Sequence, residues 1–231
     1  MGSNHHRLTY AVDLVFCFDA TLSMDHILDM VKKNALNFYS DLTALMTQKN
    51  KTVEKLRIRL VAFRDYMYDG KEAMTMTDFF QLPEQAANFE ACVRSIQPKG
   101  GGDDPEDGLE ALAYAMKSNW NRDAARSRHV IVVWSDDGTH KLGYGKKSTF
   151  YPKGMPADFA ALSDWWGSRA NPSEIMDQAS KRLLLFTPDK PGWSDVRENW
   201  DRVIHYVSEA GKGLEHCDYE MILEAIANSI A

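Results

Sequence analysis

The first patterned stretch of the chain is Val12-Asp13-Leu14-Val15-Phe16-Cys17-Phe18, mostly apolar and closed by the polar run Asp19-Ala20-Thr21-Leu22-Ser23. A short apolar run bounded by turn residues predicts a strand buried on both faces of a sheet. Over residues 25–47, Leu28, Val31, Ala35, Phe38, Leu42 and Leu45 recur at spacings of three and four, with Lys32, Lys33 and Asp41 off the stripe. That spacing predicts one long amphipathic helix. Asn50-Lys51-Thr52 reads as a loop, and residues 57–63 as a second strand ending at Arg64-Asp65-Tyr66. Residues 73–77 alternate just after Asp69-Gly70, the pattern of an antiparallel partner at a sheet edge.

Further along, residues 83–96 predict a helix stopped by Gln97-Pro98. Gly100-Gly101-Gly102 then leads into Asp103-Asp104-Pro105-Glu106-Asp107. Asp104 is a candidate N-cap, with Pro105 as the first residue of a helix carrying Leu109, Leu112, Ala113 and Met116. Residues 129–134 predict a second fully buried strand, ending at Ser135-Asp136-Asp137-Gly138. Residues 139–163 are rich in Gly, Lys and aromatics with little periodicity, which predicts a long loop of the functional or mobile kind. A short helix at 173–180, a strand at 183–187, a helical piece near Trp193, a strand at 203–207 and a closing helix at 219–230 complete the pattern. Alternating strands and helices predict an α/β, doubly wound (Rossmann-like) sheet, mostly parallel with one antiparallel edge strand and helices on both faces. Residues 1–9 are expected to be a disordered tail and 10–231 a single domain.

Composition narrows the function more than the fold. The 231 residues are 44% hydrophobic and 26% charged, the balance of a soluble globule. A net charge of −6 with no basic stripe argues against a nucleic-acid partner. No apolar run approaches a membrane span and the amino end lacks a signal-peptide core, so a cytoplasmic protein without a membrane partner is expected. Cys17, Cys92 and Cys217 lie far apart, which suits a reducing compartment rather than a disulfide framework or thiolate metal site.

Three oxygen-bearing clusters fall at corresponding places, each at a strand end or a helix start: Asp19/Thr21/Ser23, Asp103/Asp104/Glu106 and Asp136/Asp137. Open α/β sheets collect ligands along that rim. Taken singly, the clusters could be a helix cap, acids complementing a helix dipole, and a turn. Together they favour a hard-cation site. Hydroxyls plus a few carboxylates suit Mg²⁺, with Mn²⁺ as a substitute, and no His or Cys cluster accompanies them to favour zinc.

Asp19-Ala20-Thr21-Leu22-Ser23 resembles the Asp-x-Ser/Thr-x-Ser signature of the von Willebrand factor A (vWA) domain, which builds the metal-ion-dependent adhesion site (MIDAS). The resemblance extends from about Tyr10 to Ala231, and Leu60-Val61-Ala62-Phe63-Arg64-Asp65 looks like the family's second strand. Asp103-Asp104-Pro105-Glu106-Asp107-Gly108 is similar to the Asp-x-Pro-Glu-Gly-Gly loop of integrin β A-like domains, which implies Glu106 as a ligand and Asp103 as a possible ligand of a neighbouring ion. Because the threonine that many members carry there is missing, the second-loop ligand stays open between Glu106, Asp103 and Asp104. Ser135-Asp136 corresponds to the family's Thr-Asp, implying that Asp136 acts through water. His26 and Ile27 stand where integrin β domains carry acids for an adjacent regulatory ion, so that ion is not expected.

The resemblance implies a non-enzymatic module that binds an Asp or Glu of a partner protein through Mg²⁺, within an intracellular multi-protein assembly. Stand-alone cytosolic A domains often look like parts of such assemblies, some with chaperone-type ATPases or with kinases and phosphatases. One alternative is a Mg²⁺-dependent phosphatase-like hydrolase with Asp19 as nucleophile, although Thr21 stands where that chemistry needs a second acid. Another is an A-domain scaffold with a degenerate metal site. Of the remaining residues, Trp165 and Trp166 read as packed, and Tyr144, Lys146, Lys147 and Tyr151 as candidates for contacts. His140 reads as a solvated loop residue; His129 and His205 read as structural.

Overall fold

Strand β1 (Leu8–Asp19) alternates between two cores, and this alternation sets the architecture. Tyr10, Val12, Leu14, Phe16 and Phe18 enter one apolar cluster, while Val15 and Cys17 enter the other. The odd position, Asp13, is 1% exposed and held by a guanidinium fork: Arg57 Nε and Nη2 donate to its two oxygens at 2.7 and 2.6 Å. The structure is a computed structural model, and it describes residues 8–99, 105–212 and 214–231.

After β1 come α1 (Asp25–Asn34), α2 (Phe38–Gln48), β2 (Lys51–Phe63), β3 (Met74–Met76), β4 (Phe80–Leu82) and α3 (Ala86–Ser95). The second half holds α4 (Gly108–Met116), β5 (Ser127–Trp134), α5 (Phe159–Trp166), β6 (Lys181–Pro188), α6 (Trp193–Asn199), β7 (Val203–Ser208) and α7 (Tyr219–Ile230). The strands form one seven-stranded sheet in the order β3-β2-β1-β5-β6-β7, with β4 also paired to β2. All pairings among β2, β1, β5, β6 and β7 are parallel. Helices α1, α2, α3 and α7 cover one face, and α4, α5 and α6 the other.

The expected fold class holds, with local corrections. The antiparallel edge is interrupted: β3 pairs with Val61–Phe63 and β4 with Leu56–Ile58. Between them the Thr77 hydroxyl accepts from the Leu60 amide at 3.0 Å, taking a place that a backbone carbonyl would fill in a continuous strand. The single helix expected over 25–47 is two. Asn34 turns its side-chain amide onto the Met30 carbonyl at 2.8 Å, and the backbone tightens from Asn34 to Asn37 before Phe38 re-enters the core. Asparagine competes with the backbone ladder in this way wherever a helix can end. Strand β1 starts at Leu8, inside the expected tail, whose residues 1–7 lie outside the described residues. Helix α4 starts at Gly108 with Asp107 at its N-cap, so Asp104 and Pro105 lie ahead of it. Residues 173–180 form turns rather than a helix, because Ser173 Oγ and Asp177 Oδ1 accept the local amides of Ile175 and Ser180.

Candidate metal centre

The chain leaves β1 toward β2 on one side and later returns to β5 on the other, so a crevice opens between the carboxyl ends of β1 and β5. Ligands gather at such a switch point. Asp19 is the last residue of β1 and only 1% exposed. Its Oδ1 accepts from the Thr21 amide at 3.0 Å and the Thr21 hydroxyl at 2.6 Å. Its Oδ2 accepts from Ser135 Oγ at 3.0 Å across the crevice. Thr21 Oγ1 lies 3.3 Å from Ser23 Oγ, which donates to Asp136 Oδ1 at 3.0 Å. Residues from two distant loops thus form one unbroken chain of oxygens. Asp137, by contrast, turns aside to Lys190 at 2.6 Å and takes no part.

Glu106 brings the second loop to the same place. It forms a parallel bridge with Thr139, and its carbonyl accepts from the His140 amide at 2.9 Å and Thr139 Oγ1 at 3.0 Å. The side chain is 2% exposed, yet neither Oε1 nor Oε2 has a hydrogen-bond partner. Burial pushes the carboxyl up to about 9, helped next by the charge of Asp19 and then by Asp69, Asp65 and Asp107. Burial likewise raises Asp19 to about 6 against the opposing Thr21 hydrogen bonds, with Asp136 adding to the rise. Asp103 and Asp104 lie outside the described residues, so Glu106 is the one second-loop candidate whose position the structure gives.

Two supports were not legible in the chain. Arg64, 4% exposed, donates to four carbonyls: Ala20 at 3.0 Å, Lys99 at 2.9 Å, Glu72 at 3.0 Å and Gln97 at 2.8 Å. It pins the first loop to the segment that enters the second. His140 is buried rather than solvated, its Nε2 3.0 Å from Asp65 Oδ2 and its ring stacked on Tyr144 at 3.7 Å. The available signal was Asp65, which follows a strand as Asp19 and Asp136 do. Tyr151 also proves structural, donating to Glu110 Oε1 at 2.7 Å. Trp166 is fully buried, as expected of a packed residue.

The donors fit a hard divalent cation. A buried carboxylate without any partner, close to a second acid, is a costly arrangement in the absence of a positive charge. Among the described residues, the side chains linked here (Asp19, Thr21, Ser23, Ser135 and Asp136) and the unpartnered Glu106 all offer oxygen, which matches Mg²⁺ or Mn²⁺. Among the described residues no three carboxylate, imidazole or thiolate side chains make a metal cage by themselves. Thr21 and Ser23 would therefore have to complete the set.

Residues 13–125 match the family model of the von Willebrand factor A domain. The solved von Willebrand factor type A protein from Catenulispora acidiphila aligns over 96% of this chain and 43% of its own, with 14% identity and a TM-score of 0.52. This is a von Willebrand factor A fold. A curated relative, the alpha-protein kinase vwkA of Dictyostelium discoideum, is 24% identical over 150 residues, 65% of this chain. The match spans only 22% of that kinase's length. The open conformation of the pilus adhesin SpaC from Lactobacillus rhamnosus GG aligns over 96% of this chain and 30% of its own, at 13% identity and a TM-score of 0.49. No helix among the described residues is long and apolar enough to cross a membrane.

Proposed function

We propose that this vWA chain is a divalent-cation-dependent protein-interaction module that binds an acidic side chain of a partner protein. Asp19, Thr21, Ser23, Glu106 and Asp136 would hold Mg²⁺, with Asp103 and Asp104 on the adjoining loop. The observation that carries the reading is Glu106: a buried carboxylate with both oxygens unpartnered, facing the field of Asp19. When bound, the ion supplies a positive charge with coordination positions that a foreign carboxylate can fill. The chain's own contribution is selective. Its acidic rim repels an acidic partner when no cation is present, and its hydroxyls bind without cancelling the ion's charge.

The same residues support a non-enzymatic role. Thr21 stands where a phosphatase-like mechanism needs a second acid, and it donates its hydroxyl to Asp19 instead. Free thiols at Cys17, Cys92 and Cys217 support work in a reducing compartment, as part of an intracellular assembly. Calorimetry with Mg²⁺ tests the site: the wild type gives a saturable heat and Asp19→Ala gives none. Partner capture by the wild type is expected to be lost in chelator and in Asp19→Ala. Normal Mg²⁺ binding by Asp19→Ala would overturn the assignment.

A further inference from the structure

At the opposite end of the sheet, among the described residues, four arginines gather without an ion pair of their own. Arg126 and Arg128 flank the start of β5, Arg182 is the second residue of β6, and Arg202 immediately precedes β7. The parallel register aligns Val130 with Arg182, and the Leu183 amide donates to the Arg202 carbonyl at 3.0 Å, so three neighbouring strands bring these residues to one edge. Two of the guanidiniums are fixed by backbone carbonyls. Arg128 Nε donates to Ile230 at 2.9 Å and its Nη1 to Ser127 at 3.1 Å. Arg182 Nη1 donates to Ala179 at 3.0 Å and Lys181 at 2.6 Å.

Neutral carbonyls orient a guanidinium and leave its full charge in place. Among the described residues none of the four forms an ion pair. Asp201, beside Arg202 in the chain, is paired with Lys181 at 2.8 Å instead. The strain is visible at Arg182, which burial first, and then the charges of Arg128 and Arg202, together lower to about 10. An adjoining pocket of about 410 Å³ is lined by Arg122, Arg126 and Arg128 against a single acid, Asp177, whose carboxylate is engaged by Ser180.

In a chain of net charge −6, a repelling arginine cluster beside an open pocket calls for an anion. We infer that this edge is a binding site for a phosphoryl group, a compact dianion whose several oxygens can accept from more than one guanidinium. The site is independent of the metal centre. An eight-residue β5 separates the two ends by roughly 25 Å at the usual rise per residue, too far for direct coupling.

The test is an NMR titration of the full chain with sodium phosphate, against sodium chloride at matched ionic strength. Saturable shifts are expected at the amides around Arg126, Arg128, Arg182 and Arg202 with phosphate alone. Arg182→Gln and Arg202→Gln should each weaken the phosphate affinity by roughly tenfold, the loss of one charge-assisted contact, with Mg²⁺ binding unchanged. A parallel titration with O-phosphoserine separates the two sources: comparable affinity supports an esterified phosphoryl, and orthophosphate binding alone supports the free anion. In phosphate-free buffer Arg202→Gln should melt at or above the wild type, since it relieves repulsion. Non-saturating shifts, equal shifts with chloride, affinity retained in both variants, or an Arg202→Gln protein that melts several degrees lower would each overturn the assignment.

Discussion

Glu106→Gln probes the metal centre without changing its shape. In the metal-free folded chain the Glu106 carboxyl titrates at about 9, against 4.5 for an ordinary glutamate. A raised folded value means that the native state holds the proton more tightly than the unfolded chain. The associated stability is therefore complete below about pH 4.5 and is lost progressively as pH climbs toward about 9. At pH 7 the unfolded carboxyl is about 2.5 pH units past its titration, which at about 1.4 kcal/mol each amounts to about 3 kcal/mol. Glutamine needs no proton and removes this term. With chelator present, the variant should melt above the wild type at pH 7 by roughly 6 to 12 °C for a domain of this size. The two melting curves should converge near pH 4.5 to 5. Added Mg²⁺ should then raise the melting temperature of the wild type only, by mass action on the native state. Differential scanning calorimetry across pH 5 to 9 decides the matter. Parallel pH profiles for the two proteins in chelator would refute the reasoning.

Other perturbations test the frame around the site. Arg64→Lys should cost about 2 to 4 kcal/mol by denaturant titration and weaken Mg²⁺ binding, because one ammonium cannot serve four carbonyls spread around a planar fork. Gly108→Ala places a Cβ 2.5 Å from Trp193 Cη2, an overpacking that should lower stability by about 1 to 3 kcal/mol in thermal melts. Arg57→Leu strands the buried Asp13 carboxylate and should cost about 3 to 5 kcal/mol, most of it recovered when Asp13→Leu is added.

Sequence periodicity located the central strands and α7, because those elements bury continuous apolar runs that local pattern reports directly. It overran at Asn34, where a single side-chain hydrogen bond ends a helix that the apolar stripe alone would continue. It passed over β4, three residues whose pairing depends on β2 rather than on their own composition. At the site, one short motif was enough to nominate Asp19, Thr21 and Ser23, and strand ends or helix starts nominated Asp136, Glu106, Asp103 and Asp104, the last two outside the described residues. His140, Asp65 and Arg64 act through contacts across 75, 75 and 44 residues of chain at most, and no local pattern encodes those. Glycine and lysine in residues 139–163 suggested a loose loop, whereas its start is fastened to Glu106 and Asp65.

That fastening divides the crevice into a fixed jaw and an adjustable one. Thr139 bridges to Glu106, and its hydroxyl both donates to the Glu106 carbonyl and accepts from the Leu109 amide, so the second and third loops move as one body. Across from them Ser23 sits in a short 3₁₀ turn that no side chain caps, next to the exposed Leu22. A partner that pulls on this end of the molecule would therefore shift the serine long before it shifts the glutamate, and the grip would tighten or loosen from one side.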